Sequence, residues 1–70
     1  MSEDSVYKVI ELVGTSTESW EKAVAAAVER AGKGLRNLRL GEVTKLDVTI
    51  KDGKVSTYRA RIQVSFKYEG

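Results

Sequence analysis

Seventy residues, 41% of them hydrophobic, 31% charged and none of them proline, make one small globular domain, 1–70, and leave no room for a second. Cys and His are both absent, which excludes disulfides, thiolate metal sites, thiol nucleophiles and every histidine-based triad. Twelve Lys and Arg against ten Asp and Glu give a net charge of only +2, spread along the chain, so nucleic acid is not an expected partner.

Residues Ser5 to Val13 (SVYKVIELV) are rich in β-branched and aromatic types and stop at Gly14-Thr15-Ser16, which reads as a strand entering a turn. Ser16 or Thr17 then caps a helix, with Glu18 and Glu21 in its first turn, where carboxylates favour the positive end of the dipole. Trp20, Ala23, Val24, Ala27, Val28 and Ala31 recur at the spacing of one helical stripe. Gly32 and Gly34, with Arg30 and Lys33 beside them, supply the stop. Most of the stripe is Ala and Val, small enough for the helix axis to lie close to a sheet, with Trp20 as an anchor at its start.

From Leu35 to Ile50 the chain reads as a second strand. Leu38 and Leu40 fall in one alternating segment and Leu46, Val48 and Ile50 in another; Val43 breaks the parity beside Gly41, so a bulge is expected there. Lys51-Asp52-Gly53-Lys54 is a hairpin turn. The third strand is the cleanest signal: Tyr58, Ala60, Ile62, Val64, Phe66 and Tyr68 alternate with Arg59, Arg61, Gln63, Ser65, Lys67 and Glu69. The fold class is therefore α+β, in the order β-α-β-β, with a three-stranded antiparallel sheet ordered 1-3-2 partly wrapping one helix.

A helix of about 16 residues is about 24 Å long, whereas strands of about 15 residues run near 50 Å. One helix cannot cover that sheet, and a domain this small buries only about 60% of its unfolded surface. Self-association is the expected remedy. No apolar run approaches the roughly 18 to 20 residues of a membrane span, and the opening Ser2-Glu3-Asp4 is acidic where a secretory signal is basic, so a cytoplasmic protein without a membrane partner is expected. No paired-carboxylate motif has convincing spacing, so an enzyme is not expected.

VYKVIELVGTS, then SWEKAVAAAVERAGKGLRNLR, then Glu42-Val43 and finally YRARIQVSFKYEG together resemble the dodecin family over nearly the whole chain. The resemblance implies a hollow shell of twelve identical subunits that binds and stores a small ligand, typically a flavin held in pairs at two-fold contacts, with no catalytic machinery. It also implies that Leu40, Arg59, Arg61 and Lys67 occupy or border the flavin-pocket positions. Two of these depart from the family pattern. Leu40 stands where a Trp stacks on the flavin ring, and Arg59 where a Gln bonds the ring edge. Leu has no π-face, and Arg only donates, so a flavin ring, as in riboflavin, is held more weakly, while a phosphate-bearing flavin such as FMN or another anionic ligand suits Arg59, Arg61 and Lys67. The same two changes are similar to a subgroup of dodecins without flavin, one of them associated with calcium. Hard cations take oxygen ligands, for which Glu11, Glu42 and Asp47 are the candidates, to be assembled between subunits. The same carboxylates can instead pair with Lys45, Arg59 or Arg61. Flavin, calcium and a shell without a specific ligand remain open at this point.

Overall fold

The structure, a computed structural model, describes residues 4–68. Strand β1 spans Tyr7–Ser16, helix α1 Trp20–Gly34, strand β2 Leu38–Lys51 and strand β3 Lys54–Lys67. The three strands form one antiparallel sheet in the order β1-β3-β2, as the alternation and the short hairpin predict.

The hairpin turn works because Asp52 and Gly53 both take positive φ, at 53° and 74°, the pair a two-residue type I′ connection demands. One face of β3 meets the helix: Ala60, Ile62 and Val64 are buried on it, as are Ala23, Ala27 and Ala31 at i, i+4 and i+8 of α1. Ala27 packs with Ile62 and Val64, and Ile10, Leu12, Val24, Val28 and Leu38 pack against that cluster. Apolar burial of these side chains is the main force holding helix to sheet.

Four local expectations are corrected. Gly14-Thr15-Ser16 is not a turn: β1 continues through it, pairing Gly14 with Ala60, Thr15 with Arg59 and Ser16 with Tyr58. A Cβ on Gly14 would stand 2.0 Å from the Ala23 carbonyl oxygen, so the glycine is there to let strand and helix backbones touch. The helix cap is Ser19, whose Oγ accepts from the Lys22 N–H at 3.1 Å. Ser16 instead organises the approach, its Oγ accepting from the Glu18 N–H at 3.0 Å, and Glu18 precedes the helix, paired with Lys22. At the other end Gly32 and Gly34 lie within the helix, which is closed by the Leu35 N–H bonding Ala31 O at 2.9 Å. The chain then turns through Asn37, at φ 63°, and β2 begins at Leu38 rather than Leu35.

The bulge expected near Gly41 is present as two register shifts that flank it. Arg39 is unpaired between Leu38 and Leu40, and Thr44 between Val43 and Lys45. A third shift leaves Ser56 unpaired in β3. Leu38 and Leu40 consequently lie on opposite faces, opposite Phe66 and Ser65 respectively, against the expectation of a shared face. Hydroxyl groups beside two of these shifts replace ladder partners. Thr44 Oγ1 donates to Arg61 O at 3.2 Å, and Thr49 Oγ1 accepts from the Thr57 N–H at 3.0 Å.

The described chain is 59 Å long and 21 by 15 Å across, whereas a 15-residue helix reaches only about 22 Å. The helix lies mainly over β1 and β3; on the same side it reaches Leu38 of β2 but leaves the middle of that strand uncovered. Val43 is 45% exposed and Leu46 50%, and Ile50 and Val55 at the hairpin end are 69% and 51% exposed.

Gly14→Ala is expected to destabilise the protein by about 3 kcal/mol or more, the upper end for overpacking, because backbone rather than a flexible side chain must move. Thermal or urea melting of the variant measures it; an unchanged midpoint contradicts the close approach.

Candidate functional site

Opposed residues of neighbouring strands share a face, so the register lays out the helix-free side of the sheet row by row. Val9 and Leu40 flank Ser65 in one row, with Tyr7 and Lys67 beyond it. Glu11, Gln63 and Glu42 come next, then Val13, Arg61 and Lys45, then Thr15, Arg59 and Asp47. All seven residues singled out from the sequence, Leu40, Arg59, Arg61, Lys67, Glu11, Glu42 and Asp47, therefore fall on this one face.

They do not converge within one subunit. Leu40 is opposite Ser65, and Ser65 lies six residues from Arg59 along β3, about 20 Å at about 3.3 Å per residue. Leu40 is 67% exposed and borders a small groove of about 170 Å³ between helix and β2, lined also by Val28, Leu38 and Val64. Neither that groove nor the larger one, about 350 Å³ between β1 and the helix, includes Arg59, Arg61 or Lys67. Glu11 and Glu42 flank Gln63, while Asp47 lies two rows away. No group of three carboxylates placed to hold a metal occurs among the described residues.

Asp47 has a built environment. Arg59, directly opposite it, donates from Nε to Oδ1 at 2.9 Å and from Nη2 to Oδ2 at 3.5 Å, a two-point fork between half-exposed side chains. The same residue is held through its backbone: Trp20, the chain's only tryptophan, donates its indole N–H to the Asp47 carbonyl at 3.0 Å. The indole also packs edge-on against Tyr58 with ring centroids 5.2 Å apart. Pairing with Arg59 was one of the options the sequence offered for Asp47; the Trp20 bond has no sequence signature, because its acceptor is backbone 27 residues away. Hydrogen bonding from Arg59 holds the Asp47 carboxyl below its ordinary pKa; partial desolvation opposes this, and the charges of Arg59, Lys45 and Arg61 add to the lowering. Lys45 and Arg61 sit directly opposite each other and have no ion pair among the described residues.

The chain is thus a one-helix, three-stranded α+β protein whose sheet carries an ion pair on its helix-free face and an uncovered apolar strip on the other. The chain belongs to the dodecin family, whose model matches residues 6–69. It is 45% identical over 64 residues to the dodecin of Thermus thermophilus, covering 91% of this chain and 93% of that one. It is 44% identical over 63 residues to the calcium dodecin of Mycobacterium tuberculosis, covering 90% and 89%. The crystal structure of that calcium dodecin, described as having a novel calcium-binding site, superposes with a TM-score of 0.83 at 43% identity over 93% of each chain. Dodecin from Streptomyces coelicolor superposes with a TM-score of 0.92 at 36% identity over 99% of each chain.

Because the folded pKa of Asp47 lies below its unfolded value, its pairing adds stability that is present above about pH 4 and lost as pH falls through the lower folded pKa. Melting curves between pH 2 and 7 are expected to show a shallower acid-side loss for Asp47→Asn than for the wild type; identical acid limbs contradict the pairing.

Proposed function

We propose that this chain is the subunit of a homododecameric shell that binds and stores a small ligand at its subunit seams, without catalysing a reaction, in the cytoplasm. One observation carries this reading: Val43 and Leu46 are about half exposed on the side of the sheet that the helix fails to cover. Exposed strand surface of this kind invites pairing or aggregation unless a neighbour closes it, and a closed assembly of identical copies does so. Membership of the dodecin family supports the same arrangement. Among the described residues no helix is long and apolar enough to cross a membrane.

The spread of candidate ligand residues fits a site between subunits. With Leu40 and Arg59 about 20 Å apart on one face, a pocket using both takes Leu40 from one subunit and Arg59 from another. Leu40 and Arg59 make such a seam a poor flavin site, since the π-face is missing and Arg59 is already engaged by Asp47. Arg61 and Lys67 then remain as the cations bordering it. A second reading, calcium, is favoured by the 44% identity to a calcium dodecin. It requires Glu11, Glu42 and Asp47 from separate subunits, because one subunit does not gather them.

Native mass spectrometry of untreated protein tests the reading by reporting subunit number and retained ligand mass together. Twelve subunits with a bound flavin or calcium mass support it; a monomer overturns it, and twelve subunits without added mass leave the shell and remove the storage role. Leu46→Asp, which sets a charge in the uncovered strip, is expected to reduce the assembly to smaller species by light scattering at micromolar concentration. An intact dodecamer of that variant would place the contact elsewhere.

A further inference from the structure

We infer that Asp47 sets how the helix-free face treats anions: by holding Arg59 in a two-point fork it withholds that guanidinium from phosphate-bearing ligands. This rests on the reading of that face as the ligand surface.

Arg59 is the residue at the ring-edge position implied by the family resemblance, and taken alone it would turn the site toward anions, since a free guanidinium is an efficient two-point donor to phosphate. In the structure the Asp47 carboxylate competes for that guanidinium. Its Nε and Nη2 are both directed at the Asp47 carboxylate, 2.9 and 3.5 Å away, and the partners are directly opposed across the β2–β3 ladder, so neither must be stretched to meet the other. An anion competing for Arg59 would have to displace a carboxylate already in place.

Asp47 is also hard to move aside. Its carbonyl receives the Trp20 indole N–H, and that indole is packed on Tyr58 at the start of the helix. The backbone carrying the carboxylate is thus tied to the helix while the carboxylate itself faces the other side of the sheet. The unpaired Ser56 is what makes this possible. Continuing the turn register from Lys51 and Lys54 without that shift would set Asp47 opposite Tyr58 instead of Arg59. Trp20 is therefore a positioning residue for the pair, and its fluorescence is a local reporter of Asp47.

The test compares wild type, Asp47→Asn, and the double variant Asp47→Asn with Arg59→Gln, all as full chains whose subunit number is checked by native mass spectrometry. Inorganic pyrophosphate is titrated, and the apparent Kd is read from Trp20 fluorescence and from the shift in melting temperature. D47N is expected to bind pyrophosphate about tenfold more tightly than wild type, the scale of one charge-assisted pair, and the double variant is expected to lose that gain. Equal responses in wild type and D47N, including no response in either, overturn the inference. A gain that persists in the double variant also overturns it, because removal of a negative charge alone would then explain the effect. Asp47→Ser, tested alongside, is expected to repeat the D47N gain and guards against an amide that still holds Arg59. Riboflavin titration by quenching of its own fluorescence separates the two levels: a tenfold pyrophosphate gain without riboflavin binding supports Asp47 as the anion-excluding residue while overturning the flavin option.

Discussion

Reach is the constraint on which the rest depends. Fifteen helical residues rise about 22 Å, while the fourteen-residue strands beside them extend about 46 Å. The helix spends its reach on β1 and β3, where Ala23 meets Gly14 and Ala27 packs with Ile62 and Val64. Small side chains on the helix and Gly14 on the strand bring the two so close that backbone meets backbone. That closeness gives a dense contact over a short span. It also leaves the helix side of β2, with Val43 and Leu46, and the hairpin beyond, with Ile50 and Val55, without cover from the chain's own residues.

The register shifts are the second organising feature. Each leaves one residue out of the ladder and reverses the facing of the strand beyond it, so that Leu38, Val43 and Leu46 join the apolar side despite their irregular spacing. Threonine hydroxyls at two of the shifts take over backbone hydrogen bonds that the ladder loses. The shift at Ser56 also brings Asp47 to Arg59. A residue that would otherwise sit opposite Tyr58 becomes half of the ion pair on the helix-free face.

Much of this was legible in the residues. Period 3.6 in Trp20 to Ala31 and period 2 in Tyr58 to Tyr68 are strong signals because each reports a face with a buried middle, Ala23 to Ala31 on the helix and Ala60 to Val64 on the strand. Asp52-Gly53 declared the hairpin because few other dipeptides tolerate two positive φ angles. Gly14 misled, since a glycine demanded by close packing looks the same in sequence as one demanded by a turn. Ser16, Thr17 and Ser19 all have capping hydroxyls, and only the entry angle of the chain selects Ser19. Leu38 and Leu40 read as neighbours on a face because an unpaired Arg39 leaves no mark in polarity. The site residues were legible as a set on one face. Their separation was not, because register and distance belong to the sheet, and in the proposed shell the completion of the site belongs to other copies.

In the proposed shell the folding of each subunit is finished by neighbours that close the uncovered strip. Sedimentation velocity over a dilution series, with circular dichroism on the same samples, addresses that dependence most directly. A strip that needs neighbours predicts one large species whose dissociation on dilution coincides with loss of secondary structure. A folded, stable single protomer at nanomolar concentration would contradict it.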